Sequence, residues 1–544
     1  MSALADLRAA VEAAGAELLD GESQRGQLAL ESPPRADFGD FSTNAALVLA
    51  GSLGRPPREV AEQLGRALTA RLGSQLTSVE VAGPGFLNIF LSDEWFRAAL
   101  AGMIAEGERF GGGGAGTPHS VDIEFVSANP TGPLTAAHGR HAAYGDALAR
   151  ILGFHGEQVT REFYVNDYGS QIVRLAESIR ARALGGPLPP DGYQGDYVAT
   201  LVPPERAREL DLEELGAEGV AACLSMIRAT LERFGVSFDV WFSERSLHEG
   251  HPSAVERDLA ELERRGETYR HDGALWLRTT AHGDDKDRVL VRSGGDHTYL
   301  ASDVAYHQDK LARGFDRLVD VWGADHHGYQ ARMKAAIAAL GGSPDALEIV
   351  IMQFVHLIEG GDRASMSKRR GEFVTLDELI DQIGVDAARY FLLARSHDTT
   401  LDLDLDLARA QSADNPVYYI QYAHARIASV LERAGEERVA TALAALTGQQ
   451  LDDVALEPAE RALIKKLLAF PDEVAEAATR RAPHRIAVYA LELAQEFTAF
   501  YRDSRIVGAE PAEVESLRVA LGVAAQRTIA RSLDLLGVSA PRTM

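Results

Sequence analysis

Three stretches of this 544-residue chain hold residues whose types and spacing suit phosphate and sugar chemistry. The first, Ile123 to Arg140 (IEFVSANPTGPLTAAHGR), reads as an apolar strand, a Pro/Gly-rich turn and the start of an Ala-rich helix. A short polar loop at a helix N-terminus presents free backbone N–H groups and the positive dipole end to an anion. His138, in the first turn, would bring its imidazole to the same space. The second, Trp322-Gly323-Ala324-Asp325-His326-His327-Gly328-Tyr329, ends a strand before a helix, where ligands of open α/β sheets gather. Asp325 could accept from a ribose hydroxyl, and Gly323 lets a sugar or base approach the backbone. The third, Ala364-Ser365-Met366-Ser367-Lys368-Arg369-Arg370-Gly371, is a basic loop whose hydroxyls, amides and Lys368 suit a triphosphate. Each stretch also has a plainer reading. The first can be a turn with capping Asn and Thr, the second an Asp cap with two solvated histidines, the third a charged surface loop. Neighbouring His326 and His327 do not make a metal site, because residues i and i+1 do not share a helix face.

Such loops need an α/β frame, and the chain supplies one. From about residue 119 strands alternate with helices: Val121–Val126, a helix over 137–152, Gln158–Val165, a helix over 170–184. This is the rhythm of a parallel sheet with helical crossovers. A Pro/Gly-rich break at 185–192 opens a charged segment that reads as an insertion, and the rhythm resumes at Arg317–Trp322 and Glu348–Phe354. Residues 1–110 mix helical patterns with short strands and end in the Gly-rich linker Phe110–Pro118. Strand signals disappear after about 380, and 411–544 is Ala/Leu/Arg-rich with helical periodicity. The expected fold class is α/β. It comprises a Rossmann-type parallel-sheet domain over 118–400 with an inserted segment at about 186–290, an N-terminal α+β domain over 1–110, and a C-terminal all-α bundle over 411–544.

Bulk properties narrow the function. A composition 46% hydrophobic and 25% charged is that of ordinary globular protein. The single cysteine, Cys223, excludes a disulfide framework and a Cys-based zinc site. No apolar run approaches the roughly 20 residues of a membrane span, and no signal peptide is evident at the N-terminus. A formal charge of −25 argues against indiscriminate nucleic-acid binding, so any RNA must meet a local basic face.

The joint occurrence of the three stretches, in this order, resembles the class I arginyl-tRNA synthetases over nearly the whole chain. Ala128–His138 is similar to that family's HIGH signature, with Thr135 where its first histidine stands and Ala137 where its glycine stands. Ser365–Arg369 is similar to the KMSKS loop, with Ser365 for its first lysine and Arg369 for its last serine. Gly323–Tyr329 resembles the ribose-side motif, and Thr298–His307 the arginine-pocket segment. Asn415–Arg426 resembles the opening of the family's anticodon-binding domain, and Phe38–Asn44 with Gly83–Phe86 resembles its additional N-terminal tRNA-binding domain. The resemblance implies ATP with Mg2+ as substrate complex, L-arginine and tRNA(Arg) as partners, an arginyl-adenylate intermediate, a cytoplasmic monomer, and neither a membrane nor a structural metal. It implies catalytic roles for His138, Lys368 and Ser367. ATP would be held by Pro133, Thr135, Gly139, Gly323, Asp325, His326 and Met366. Arginine would be held by Glu124, Ser127, Asn129, Tyr299, Asp303 and His307, and tRNA by Tyr418, Tyr422, Arg426 and Arg485.

Physical chemistry supports two of these roles independently. A guanidinium offers five donors in a charged planar fork, for which a carboxylate such as Asp303 is the complement; Tyr299, four residues earlier, would share its helix face. Tyr418, Tyr419 and Tyr422 suit stacking of unpaired bases, beside basic clusters at Arg461, Lys465, Lys466 and at 480–485; the same aromatics also suit a bundle core. Among competing functions, a dinucleotide oxidoreductase would need a Gly-x-Gly-x-x-Gly turn that 129–139 does not supply. A smaller adenylyltransferase leaves the bundle unexplained, and a metal-dependent hydrolase lacks a ligand cluster. The alternative is a catalytically weakened RNA-binding paralogue.

Overall fold

The apolar run leading into the first loop is the middle strand of a five-stranded parallel sheet. The computed structural model describes residues 3–19, 28–33, 35–363, 374–451 and 453–544. The basic stretch with Met366, Ser367 and Lys368 therefore lies outside the described residues. In chain order the strands are β1 (Ser120–Glu124), β2 (Gln158–Val165), β3 (Val240–Ser243), β4 (Arg317–Gly323) and β5 (Leu347–Met352). Across the sheet they run β3-β2-β1-β4-β5, every pair parallel. Strand order reverses between β1 and β4, and such a switch point opens a crevice above the C-terminal strand ends. Glu124 and Gly323 end these two strands.

Helix α1 (Ala136–His155) links β1 to β2 and is buried along most of its length, which explains its small residues. A Cβ on Gly145 would lie 2.1 Å from the Phe125 ring, so only glycine lets the helix cross so close to the end of β1. Helix α2 (Tyr299–Ala312) precedes β4 and packs its Leu300, Val304 and Tyr306 inward.

Two expectations are corrected here. The segment 186–290 is not wholly an insertion, because its Val240–Ser243 is β3, the edge strand of the central sheet. Trp241 stacks on Phe163 at 4.5 Å and Phe242 on Tyr164 at 6.1 Å, so aromatic pairing across β2 and β3 fixes this short strand. The rest of the segment divides into helices packed on Ser170–Leu184, with Cys223 in their core, and an antiparallel sheet of Thr268–His271, Ala274–Leu277 and Arg288–Val291. Strands also do not end at 380. Leu401–Asp404 alternates buried leucines with exposed aspartates and pairs parallel with Val355–Glu359.

The N-terminal part sets four helices against an antiparallel four-stranded sheet. The glycine run after it is no slack tether. The Gly113 and Ala115 amides donate to the carbonyls of Phe154 and His155 at 2.8 Å, and a Cβ on Gly111 would meet the Phe470 ring at 2.5 Å. The C-terminal bundle opens with α3 (Pro416–Ala434), capped by the Asn415 side chain. Fully buried Arg389 joins the parts: it donates to the carbonyls of Phe234 and Leu536 and to Asp146 on α1 at 2.5 Å.

Candidate active site

Above the β1/β4 switch point lies a cavity of about 800 Å³. It gathers Glu124, Ser127, Asn129, His138, Tyr299, Asp303, His307, Gly323, Asp325 and His326, all named from sequence. The loop that follows β1 is strained: Val126 has φ 69° and Ser127 φ 39°, a conformation a β-branched residue adopts at a cost on the order of 1–3 kcal/mol. Local bonds hold it there, with Ser127 Oγ donating to Glu124 Oε1 at 2.8 Å and accepting from the Tyr164 amide at 3.3 Å.

At one end stands His138, on the third position of α1. The Thr135 amide donates to His138 Nδ1 at 3.0 Å, and Thr135 Oγ1 caps the helix by accepting from the His138 amide at 3.4 Å. An Nδ1 that accepts leaves the proton on Nε2, so the outward nitrogen is a donor. Burial lowers the pKa of the imidazole and keeps it neutral. Thr135 thus lies behind the histidine and outside the cavity lining. Gly139 is outside it too: a Cβ there would lie 2.7 Å from Leu376, and its small size serves helix packing. Pro133 is likewise absent from the lining. One turn beyond His138, His141 lines the same wall; burial, with His138 and Arg140 beside it, pushes it down to about 3.

At the ribose side, Gly323 leaves room for the Asp325 side chain, whose Oδ1 would lie 2.7 Å from a Cβ there. His326 is half-exposed and 3.5 Å from Asp325. Trp322 packs against His326 and Tyr329, each ring pair 5.9 Å apart.

The opposite end is acidic. Asp303, raised by burial, accepts from the Tyr329 hydroxyl at 2.5 Å. Beside it is a residue the sequence reasoning missed, Glu244, immediately after β3. It is 4% exposed, accepts from the Tyr164 hydroxyl, and its Oε2 is buried without a partner. Burial, then the charge of Asp303, lifts it to about 7. Asp303 lines the cavity, whereas Glu244 lies behind it, outside the lining, with Oε2 closed off from solvent. Tyr299 stands at the mouth, 74% exposed. His307 has neither nitrogen free, since Nδ1 donates to the Asp303 carbonyl and Nε2 to Asp320 Oδ2, both at 2.8 Å. Glu124 is also engaged, accepting from Lys310 Nζ at 2.7 Å and from Ser127. Among the described residues no group of His, Cys, Asp and Glu is arranged to hold a metal ion.

On the bundle, Tyr418 and Tyr422 lie 6.3 Å apart with planes 6° from parallel. Arg426 donates to the Tyr422 hydroxyl at 2.8 Å and its guanidinium lies over the Tyr422 and Tyr501 rings. This ladder is solvent-facing at Tyr422, whereas Tyr419 packs on the core. The other basic clusters are largely spent inside the molecule. Arg461 binds Asp40, Asp93 and the Leu91 carbonyl, Lys465 covers Phe41, Lys466 pairs with Glu492, and Arg481 pairs with Glu348. Arg485 pairs with Glu473 at 2.8 Å.

Family models match three parts of the chain: "Arginyl tRNA synthetase N terminal domain" over residues 5–91, "tRNA synthetases class I (R), catalytic domain" over 221–428, and "DALR anticodon binding domain" over 420–544. The chain is 45% identical over 554 residues to an arginine–tRNA ligase of Geobacillus thermodenitrificans, covering 99% of this chain and 98% of that one. It is 48% identical over 565 residues to an arginine–tRNA ligase of Desulforudis audaxviator, covering 99% and 97%. Its fold superposes on a solved arginyl-tRNA synthetase of Thermus thermophilus with a TM-score of 0.78 at 25% identity, covering 99% of this chain and all of that one.

Proposed function

The chain belongs to the arginyl-tRNA synthetase family, and we propose that its cavity joins L-arginine to the 3′-terminal ribose of tRNA(Arg) through an arginyl-adenylate made from ATP. The observation that carries this reading is the polarity of the cavity. A neutral histidine donor at a helix start stands at one end, and the buried Asp303 carboxylate, with Glu244 behind it, at the other.

The guanidinium pairs with Asp303, the cavity-lining carboxylate held by Tyr329, and Glu244 stands behind it as a second negative charge. Lysine, a point charge, cannot make the two-pronged contact with a carboxylate that a planar fork makes. The substrate's α-ammonium is drawn to Glu124, and Asn129 lies within reach of its carboxylate. That carboxylate attacks the α-phosphorus of ATP, which enters as its Mg2+ complex, and pyrophosphate leaves. Catalysis is positioning plus stabilisation of charge spreading over the phosphates. The His138 Nε2–H supplies one donor; Lys368 and Ser367, named from sequence alone, supply the others. Gly323, Asp325 and His326 take the ribose and base side. In the second step a terminal ribose hydroxyl of the tRNA attacks the arginyl carbonyl and AMP leaves. The Tyr418–Tyr422–Arg426 ladder offers stacking faces to anticodon bases. A chain that carries all these parts works as a monomer, in the cytoplasm with its tRNA. No described helix is long and apolar enough to cross a membrane.

The test is arginine- and ATP-dependent charging of tRNA(Arg), with Asp303→Ala and Lys368→Ala alongside. Charging by the wild type and its loss in both variants is expected. A protein that binds tRNA(Arg) yet charges none of it would instead be the non-catalytic paralogue.

A further inference from the structure

Beneath the cavity floor, α2 is clamped to the sheet by buried charges. Lys310 Nζ is fully buried, 2.7 Å from Glu124 Oε2, 2.9 Å from Asp320 Oδ1 and 3.4 Å from Asp122 Oδ2. Its ammonium also lies 4.4 Å from the Tyr306 ring, and the Tyr306 hydroxyl donates to Glu162 at 2.7 Å. Carbonyl and carboxylate only accept, so both His307 nitrogens carry protons and the ring is an imidazolium. Burial opposes that charge and Asp320 outweighs it, so its pKa is raised. Arg313 pairs with Glu162 at 2.6 Å and, towards solvent, with Asp309 at 3.0 Å.

The groups that face Asp122 are Glu124 on its own strand, Glu162 on β2, Asp320 on β4, and Tyr306, Lys310 and Arg313 on α2, while His307 on α2 pairs with Asp320. Lys310, His307 and Arg313 balance three of the four inner carboxylates, and one is left over. The leftover is visible. Asp122 is 0% exposed and neither of its oxygens has a hydrogen-bond partner. A buried carboxylate that accepts no hydrogen bond is pushed towards its protonated form.

Building on the arginine reading above, we propose that Asp122 holds a proton in the empty site and releases it to solvent when the α-ammonium of arginine engages Glu124. The geometry gives the route. Asp122 and Glu124 are two residues apart on β1 and share its face, with Lys310 between them. An ammonium at the cavity side of Glu124 supplies the missing cation. Lys310 then shifts from Glu124 towards Asp122, which at 3.4 Å is already its neighbour, and pairs with the carboxylate formed there. Lys310 and Asp122 are positioning residues: neither lines the cavity. Burial first, eased by Lys310 and reinforced by Glu162, Asp320 and Glu124, lifts Asp122 to about 7, so near neutral pH the site is poised between its two states.

The experiment is calorimetric titration of the full chain in two buffers of different ionisation enthalpy, which counts protons released on binding. L-arginine is compared with 5-guanidinopentanoate, which keeps the guanidinium and carboxylate and lacks the α-ammonium. Glu244 also gives up its proton at the guanidinium end, but it does so to both ligands. The difference between ligands therefore isolates the ammonium end. Arginine should release more protons than its analogue, by about half a proton near pH 7 and more near pH 6, because a group with a pKa of about 7 is half-protonated there. In Asp122→Asn the difference should vanish. Equal counts for the two ligands in the wild type overturn the proposal and leave arginine binding standing. Absence of arginine binding at any pH overturns both. The ligand comparison needs no variant, so a folding defect in Asp122→Asn does not decide the outcome.

Discussion

Replacing Glu244 by glutamine separates the cost of its charge from the use of that charge. In the empty protein the side chain is 4% exposed and Oε2 has no partner. Burial, then Asp303, raises its pKa from 4.5 to about 7, against the Tyr164 hydrogen bond that lowers it. The folded state therefore holds a proton that the unfolded chain gives up earlier. Between pH 4.5 and about 7 the native protein binds the extra proton, so stability falls as pH rises through that window and is flat above it. The displacement corresponds to roughly 3 kcal/mol. Glu244→Gln keeps the shape and removes the titration. The ligand-free variant should be more stable than the wild type near pH 8 by up to about 3 kcal/mol, several degrees in Tm for a domain of this size, and indistinguishable from it near pH 5. The same change removes the negative charge behind Asp303 that helps to attract the guanidinium, worth about 1.5 kcal/mol, so arginine should bind roughly 10-fold more weakly. Melting curves at both pH values, with and without arginine, and KM for arginine in charging give both halves. A variant no more stable at high pH than the wild type, or one that binds arginine unchanged, would refute the assignment of an unused, buried charge to the substrate.

Three further outcomes follow from named contacts. His138→Ala should lower charging on the order of 10²–10³-fold by removing a donor, whereas Thr135→His should cost far less, because Thr135 caps and orients from behind; single-turnover rates decide the order. Arg389→Met should destabilise the protein by about 3–5 kcal/mol, since buried Asp146 and the carbonyls of Phe234 and Leu536 lose their shared donor; thermal melts measure this, and arginine affinity should be intact in whatever folds. Tyr422→Ala should weaken tRNA(Arg) binding by about 1–3 kcal/mol with arginine affinity unchanged. An unchanged tRNA affinity would move anticodon stacking off the ladder.

Much of the frame was legible because its signals are local. The strand Gln158–Val165 and the helix Ser170–Leu184 fall where periodicity and breakers put them. What was hidden depends on tertiary partners. Val240-Trp241-Phe242-Ser243 lies inside a charged helical segment, and only its stacking on Phe163 and Tyr164 makes it a strand of the main sheet. Missing that strand also hid Glu244, since a carboxylate is notable only once it stands at the C-terminal end of a sheet strand. The basic residues at 461–466 misled for a related reason. Helical spacing reveals a shared face, but not that Asp40 and Asp93 of the N-terminal part would cover it.

Helix α2 shows where sequence and tertiary information divide. Tyr299 and Asp303 reach the cavity, where a carboxylate and an aromatic at i and i+4 have an evident chemical use. His307 and Lys310 continue the same helix downward into the sheet. From sequence, His307 reads as one more arginine ligand, and nothing local singles out Lys310. Their meaning comes from Asp122, Glu124 and Asp320 on two different strands, which no local pattern links to them. A buried lysine is worth its desolvation only if several carboxylates repay it, and here one of those carboxylates also faces the substrate. Helix α2 is thus anchored through Glu124 itself. Under the proposed exchange, whatever binds Glu124 from above alters how Lys310 is shared below, and the floor of the cavity takes part in binding.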